Sequence, residues 1–172
     1  MNIIPCSIRH SEAIRAILNE AILHSTAIYD YRPRTAQAME AWFEVKAKAN
    51  FPILGAEDEA GNLLGFASYG TFRAWPGYKY SIEHSVYVGT PFRGQGLGKR
   101  LMLALIEKAK EQNYHMMIGA IDASNQASIG FHRSLGFAHC ASIKQAGFKF
   151  GRWLDVEFYQ LILPTPANPL EG

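Results

Sequence analysis

Hydrophobic positions along the chain recur at two spacings, one typical of helices and the other typical of strands. In the segment from Ser11 to His24, apolar residues return every three or four positions, which predicts an amphipathic helix with Ser11 as its N-cap. Leu97, Leu101 and Leu105 repeat at four-residue spacing and predict a stronger helix. The predicted helices cover residues 11–24, 35–49, 97–109 and 125–135, the last closed by Gly136.

Strand patterns fill the intervals between these helices. Residues 53–57 and 63–72 flank a cluster of turn-forming residues, which predicts a hairpin. The segment 80–88 is rich in β-branched and aromatic residues and predicts another strand. Further strands are predicted at residues 3–9, 116–121, 137–145 and 152–163. The alternation of the two patterns predicts a mixed fold of the α/β (α+β) class.

Length and charge narrow the kind of protein that these elements describe. At 172 residues the chain has room for one domain, which we assign to residues 1–163, with residues 164–172 as a loose tail. The net charge of +2 is too small to indicate a nucleic-acid partner. The longest stretch without Asp, Glu, Lys or Arg falls short of the roughly 18 residues that suggest a membrane span. With only two cysteines and no signal-peptide pattern, we expect a cytoplasmic protein without membrane partners.

Metal chemistry is not indicated by the ligand-type residues. The six histidines and two cysteines show no paired spacing of the kind that metal sites use, so we expect no metal. Cys140 lies within an apolar strand pattern and is expected to be a small core residue.

A glycine-rich turn between a strand and a helix is the segment most informative about chemistry. It has the sequence Arg93-Gly94-Gln95-Gly96-Leu97-Gly98-Lys99 and leads into the strong helix. Glycines let the backbone approach a ligand, and the first N–H groups of a helix lack partners within it, so the turn suits a phosphate or pyrophosphate. Arg93 and Arg100 stand where a P-loop needs Gly and Ser or Thr, and Lys99 replaces the third glycine of a dinucleotide fingerprint. The alternative is a turn whose glycines serve only its tightness.

Two motifs resemble those of the GCN5-related N-acetyltransferase (GNAT) superfamily. Arg93-x-x-Gly96-x-Gly98 is similar to its acetyl-CoA pyrophosphate loop, and Asn125-x-x-Ser128-x-x-x-His132-x-x-x-Gly136-Phe137 is similar to its helix beside the pantetheine arm. Residues 72–88 and 147–156 also resemble the phosphinothricin and methionine sulfoximine or methionine sulfone acetyltransferases. The resemblance implies a mixed, mostly antiparallel sheet of about seven strands, flanked by helices on both faces.

The same resemblance implies an acyl donor, a substrate class and an assembly. The donor is acetyl-CoA, the substrate is the α-amine of a small amino acid analogue, and the assembly is a homodimer. The implied cofactor-binding residues are Val86, Tyr87, Val88, Arg93, Gly94, Gln95, Gly96, Leu97, Gly98, Lys99 and Asn125. Asn125 has a second interpretation as the N-cap of its helix, and both roles can hold.

Catalysis requires a base, because the α-ammonium group must lose a proton before it attacks a thioester. Glu83 is the candidate, since it lies mid-strand beside apolar residues, where partial burial raises a carboxyl pKa toward a useful range. The alternative is a carboxylate on a solvated strand face. His132 occupies the position of a tyrosine that many superfamily members use as the acid to the departing thiolate. It is either a proton donor or a partly buried helix residue. With no cysteine in the motif segments, we expect direct transfer.

Substrate residues are expected in the loop before the Glu83 strand. Arg73 offers a fork for a carboxylate, and Trp75 offers an apolar wall. Tyr29, in the first interhelical loop, either closes over the substrate or packs within its own loop. The resemblance adds Ala74, Glu83, His84 and Ser85. Two alternatives stay open: a protein N-terminal or aminoglycoside N-acetyltransferase, and a non-catalytic acyl-CoA-binding sensor.

Overall fold

Seven strands and four α-helices follow one another in the computed structural model, which describes residues 1–171. The helices are α1 (Ser11–His24), α2 (Ala36–Lys48), α3 (Leu97–Glu111) and α4 (Gln126–Ser134). The strands are β1 (Asn2–Pro5), β2 (Ile53–Glu57), β3 (Leu63–Thr71), β4 (Ser81–Val88), β5 (Met116–Asp122), β6 (Ala138–Lys149) and β7 (Arg152–Ile162). Short 3-10 helices occupy Ile8–His10, Pro76–Tyr78 and Thr90–Phe92.

The strands form one mixed sheet in the order β1-β2-β3-β4-β5-β7-β6. The β1–β2, β2–β3, β5–β7 and β6–β7 pairs are antiparallel, whereas β4 and β5 run parallel. A parallel pair needs a long crossover connection, and the segment that contains α3 supplies it. The predicted mixed sheet of seven strands flanked by helices is therefore confirmed.

The chain divides into two compact units, of which the first comprises residues 1–69 and 85–105. Strand β2 is buried at four successive positions instead of alternate ones, which indicates that both of its faces are covered. Thr35 caps α2, because its side chain accepts a hydrogen bond from the Ala38 N–H group. Side chains from α1, α2, β2 and β3 form the core of this unit: Ile14, Leu18, Met39, Phe43, Ile53 and Phe66.

The second unit comprises residues 70–84 and the chain from residue 106 onward. It contains β5, α4 and a long hairpin of β6 and β7, which are joined by Phe150 and Gly151. Both of these turn residues have positive φ, 51° and 72°, as a two-residue hairpin turn requires. Its buried side chains include Ile82, Met117, Ile129, Phe137 and Tyr159.

The N-terminal boundaries differ from the predictions. Strand β1 ends at Pro5 instead of residue 9, because the chain turns into the 3-10 helix, where the Ser7 N–H donates to His10 Nδ1 at 2.9 Å. Ser11 is the first residue of α1 and His10 occupies the N-cap position, so the prediction of Ser11 as the cap is wrong.

The last hairpin also departs from its prediction. Strand β6 continues to Lys149, four residues beyond the predicted end. Cys140 is exposed, so its assignment to the core is wrong. The physical reason is that β6 is the last strand of the sheet, and its positions from Ala138 to Ala146 are exposed one after another.

The segment after β7 contains neither helix nor strand through residue 171. The Thr165 hydroxyl donates to the Tyr114 carbonyl at 2.5 Å, and the Leu170 N–H donates to the Tyr80 hydroxyl at 3.0 Å. The division into a domain at residues 1–163 and a loose tail stays a prediction. Among the described helices, none combines the length and apolar character that crossing a membrane requires.

Candidate active site

Strand β4 places Glu83 where its carboxyl group is half-buried. Its neighbours Ile82 and His84 are buried, and because side chains alternate along a strand, Glu83 projects from the opposite face. Burial raises the pKa of the Glu83 carboxyl above its ordinary value, and the positive charge of Arg73 offsets part of this effect. The Glu83 group therefore has the raised proton affinity that a general base needs.

The β4–β5 pairing ends at this residue. Ser81 pairs with Met116, Ile82 with Met117 and Glu83 with Ile118. Strand β4 itself continues to Val88, and Val86, Tyr87 and Val88 are all half-buried. The candidate base thus marks the last position of a parallel ladder.

The glycine turn after β4 has a backbone conformation that favours glycine at two of its positions. Gly94 and Gly96 both have φ of +77°, a region that other L-residues rarely adopt, and a Cβ atom at either position would meet open space. The Arg93 Nε donates to the Val88 carbonyl at 3.0 Å, which ties the turn to the end of β4. Helix α3 begins at Leu97, so its N-terminal N–H groups follow the turn immediately. The predicted strand, glycine turn and helix are confirmed as elements.

Positive charge surrounds this turn. Arg93, Lys99 and Arg100 are exposed, and the Arg100 guanidinium donates to the Met1 carbonyl at 3.1 Å. Gln95 is exposed as well, and its amide donates to the Pro91 carbonyl at 3.4 Å. An exposed helix N-terminus with basic neighbours is chemically suited to a phosphate group.

Asn125 is the N-cap of α4, as one of its two interpretations states. Its side-chain oxygen accepts a hydrogen bond from the Ser128 N–H at 3.0 Å. The cap uses only the carbonyl oxygen of the side chain, so the amide N–H groups remain chemically suited to a ligand. The cofactor role of Asn125 stays a prediction.

The His84 and His132 rings lie against one another in the buried part of the second unit. Their centroids are 5.0 Å apart at an angle of 28°, and their Nε2 atoms are 3.2 Å apart. The His132 Nδ1 lies 2.7 Å from the Ser128 carbonyl oxygen. Because a carbonyl oxygen can only accept, Nδ1 carries the proton of the neutral His132 ring.

This arrangement bears on the predicted acid role of His132. Burial lowers the pKa of His132, although the Ser128 carbonyl partly opposes the shift. In its neutral form the His132 ring has one N–H, and that group donates to the Ser128 carbonyl. The neutral ring therefore has no second N–H to give to a departing thiolate. The side chain of His84, predicted as a substrate residue, is likewise buried, against His132 and Phe137.

The loop between β3 and β4 presents exposed side chains next to the Glu83 strand. Arg73, Ala74 and Trp75 are all exposed, and Trp75 retains 70% of its accessible surface. The Arg73 guanidinium lies 5.0 Å from the centroid of the Phe72 ring, which limits its freedom. An exposed cation and indole beside a carboxylate can bind a charged, partly apolar molecule.

The loop between α1 and α2, which contains the half-buried Tyr29, is held by Asn19. The Asn19 amide donates to the Arg34 carbonyl at 3.1 Å, and the Arg34 N–H donates to the Asn19 side-chain oxygen at 2.7 Å. This role of Asn19 was not predicted, because no spacing or motif in the chain signals it.

Gly119 was also missed. A Cβ atom at this position would lie 2.6 Å from His84 Nε2 and 3.1 Å from His132 Nε2, so the two rings need a glycine there. A signal existed, because a glycine within an apolar strand often marks the close approach of another group.

Comparison with known proteins assigns the family. Residues 13–137 match the acetyltransferase (GNAT) family, and the chain belongs to it. It is 48% identical over 157 residues to the L-methionine sulfoximine/L-methionine sulfone acetyltransferase of Pseudomonas aeruginosa. The aligned residues cover 91% of each chain. The family and this relative identify the protein as an N-acetyltransferase.

Solved structures agree with the fold. A protein from Acinetobacter baylyi is 55% identical with a TM-score of 0.98, and the match covers 99% of this chain and 96% of the other. The GNAT superfamily phosphinothricin acetyltransferase from Sinorhizobium meliloti, solved in complex with acetyl-CoA, is 32% identical with a TM-score of 0.94. That match covers 99% of this chain and 94% of the other.

Proposed function

We propose that the protein transfers the acetyl group of acetyl-CoA to the α-amine of a small amino acid analogue of the methionine sulfone, methionine sulfoximine or phosphinothricin type. Glu83 is the general base. The observation that carries this proposal is the half-buried Glu83 carboxyl at the end of the β4–β5 ladder, on the strand that leads into the glycine turn. The P. aeruginosa and S. meliloti relatives, named for such substrates, support the substrate class.

Acetyl-CoA is held by the backbone of the glycine turn and of β4 in this proposal. The N–H groups from Arg93 to Lys99 receive the pyrophosphate, because positive φ at Gly94 and Gly96 and the open space above them leave the backbone accessible. Val86, Tyr87 and Val88 lie beyond the β4–β5 ladder, and their backbone groups bind the pantetheine arm. The Asn125 amide is a further cofactor-binding group, carried by the second unit.

The reaction is a direct transfer. Glu83 takes a proton from the α-ammonium group, the nitrogen lone pair attacks the thioester carbonyl carbon, and the C–S bond breaks with its electron pair on sulfur. The acylated nitrogen then loses its second proton to the thiolate, which gives the amide and the free thiol, and Glu83 releases its proton to solvent. A thiol titrates near 8.5, so the thiolate leaves without an obligatory acid. Support for direct transfer comes from the cysteines: burial raises the pKa of Cys6 to about 12, and it also raises the pKa of Cys140. Neither is a reactive thiolate at neutral pH.

The charges around Glu83 match an amino acid zwitterion. Arg73 interacts electrostatically with Glu83, so a cation and an anion stand near each other at the loop before β4. An α-amino acid carries the complementary pair, its ammonium for Glu83 and its carboxylate for the Arg73 guanidinium. The exposed indole of Trp75 supplies aromatic surface to the side chain of the substrate. Tyr29, in the first unit, stays a candidate substrate residue.

The test is thiol release from acetyl-CoA with a panel of amines. We expect saturable release with methionine sulfone, methionine sulfoximine or phosphinothricin, and little with a polyamine. Release only with a peptide or an aminoglycoside would contradict the substrate class and favour the alternative acetyltransferases. Binding of acetyl-CoA without release from any amine would favour the non-catalytic sensor.

We further infer that the protein forms a homodimer through the β6–β7 hairpin. This hairpin exposes apolar side chains along the last strand pair of the sheet: Ile143, Phe148, Phe150, Trp153 and Ile162. Phe148 and Trp153 pack with ring centroids 5.1 Å apart. Large exposed apolar patches on an edge strand favour pairing with another copy.

Sedimentation equilibrium measures this assembly. We expect a mass of twice 19.2 kDa for the native chain and a shift to monomer for Trp153→Glu. Val45→Glu is the control, because Val45 is an exposed apolar residue of α2 and is not part of the hairpin, so the mass should stay unchanged. A native chain that sediments as a monomer at assay concentrations refutes the dimer.

A further inference from the structure

When the buried His84 and His132 rings are both neutral, their hydrogen bonds allow only one arrangement of the ring protons. The His132 Nδ1–H donates a hydrogen bond to the Ser128 carbonyl, so in the neutral ring His132 Nε2 has a lone pair and no proton. The two Nε2 atoms are 3.2 Å apart, and two lone pairs at that distance repel, so His84 Nε2 carries a proton and donates it to His132. The tautomers of both rings therefore follow from one backbone carbonyl.

The consequence for His84 is an acceptor-only Nδ1. This atom is buried and has no hydrogen-bond partner within residues 1–171. A buried polar atom without a hydrogen-bond partner destabilises the folded state, because it loses its bonds to water and gains none in return. The ring is nevertheless enclosed on several sides, by His132, by the edge contact with Phe137 and by the backbone of Gly119. The His84 ring is therefore buried at this position although its Nδ1 atom makes no hydrogen bond.

The position of the pair suggests what that placement serves. His84 directly follows Glu83 in β4, and its side chain enters the face opposite to the Glu83 carboxyl. His132 lies in the last turn of α4, the helix that Asn125 caps. The Nε2–Nε2 hydrogen bond therefore joins the strand of the candidate base to the helix of a candidate cofactor residue.

We propose that His84 is a positioning residue for Glu83, and that its hydrogen bond to His132 fixes strand β4 against helix α4. Gly119 is part of this device, because any side chain there would displace the His84 ring. The effect on catalysis rests on the proposed role of Glu83 as the base. The proton arrangement of the pair does not depend on that role.

Nitrogen-15 NMR of the histidine rings in the full chain tests the pair by itself. At neutral pH we expect His132 as the Nδ1–H tautomer and His84 as the Nε2–H tautomer. A His132 ring protonated on Nε2, or either ring protonated on both nitrogens, would overturn the arrangement. This readout also separates the two proposals, because it is independent of whether Glu83 is the base.

Kinetics test the action through Glu83. His84→Leu removes the hydrogen bond and should lower kcat by about tenfold while the KM for acetyl-CoA stays within twofold. His84→Gln keeps an N–H donor toward His132 and should restore most of kcat. His24→Gln, at an exposed histidine at the end of α1, is the matched control and should leave kcat unchanged.

A double-mutant cycle gives the decisive comparison. If His84 acts through Glu83, then His84→Leu has no further effect on kcat once Glu83→Gln is present. Equal losses of kcat in both backgrounds would mean that His84 acts elsewhere and would overturn the proposal. Circular dichroism and thermal melting restrict the comparison to folded variants. A Glu83→Gln variant with full kcat would instead refute the role of Glu83 as the general base. The NMR result would still test the proton arrangement of His84 and His132.

Discussion

Replacement of Glu83 by glutamine is expected to lower kcat by about 10²- to 10⁴-fold, the range typical for the loss of a general base. Glutamine has nearly the same shape but cannot accept a proton from the α-ammonium group at neutral pH. The Glu83 side chain is half-buried and burial raises its pKa, so the native group binds a proton more readily than an exposed carboxylate does. Initial rates of thiol release at saturating substrates measure the effect.

The pH profile provides a second readout of the same variant. A base acts when deprotonated, and burial raises the Glu83 pKa, so kcat of the native enzyme should fall as pH falls through that raised value. In Glu83→Gln this acidic decline should disappear along with most of the rate. Glu107→Gln, which removes an exposed α3 carboxylate paired with Lys110, is the control and should leave both rate and profile unchanged.

One result would refute the role of Glu83. If Glu83→Gln folds, binds acetyl-CoA with native affinity and retains native kcat, the proton leaves the amine by another route. The family assignment and the glycine turn would stand, because neither depends on that carboxyl group.

The elements that carry the chemistry could be predicted because each depends on local sequence. Helix α3 follows from Leu97, Leu101 and Leu105 at four-residue spacing. The turn before it follows from three glycines within five residues, two of which have positive φ in the structure. The ends of strands were less predictable. Strand β6 runs to Lys149 because it pairs with β7 across a tight turn, and pairing is not a property of β6 alone.

The candidate site was predictable only in part, for a related reason. Glu83 and Arg73 were identified from their place along the chain and from the family resemblance, and both lie in the second unit with an electrostatic interaction between them. The pairing of His84 with His132 depends on which face of β4 meets which face of α4. Periodicity shows that an element has a buried face but does not show its partner, so only Gly119 hinted at the contact.

Replacement of Gly96 by valine is expected to weaken acetyl-CoA binding by about tenfold or more. Gly96 has φ of +77°, where a side-chain-bearing residue costs roughly 1–2 kcal/mol, and a β-branched residue fits this region especially poorly. A Cβ atom there would meet open space, so the cost falls on the backbone of the turn instead of the core. Isothermal titration calorimetry with acetyl-CoA measures the affinity.

The matched control for this substitution is Gly130→Val. Gly130 lies within α4, has an ordinary φ and is also surrounded by open space, so the same added atoms should leave acetyl-CoA affinity unchanged. Native affinity in Gly96→Val would contradict the assignment of the turn to the pyrophosphate. A loss of affinity in Gly96→Val with native kcat at saturating acetyl-CoA would separate the two parts of the site, since the turn would then act in binding and Glu83 in the transfer itself.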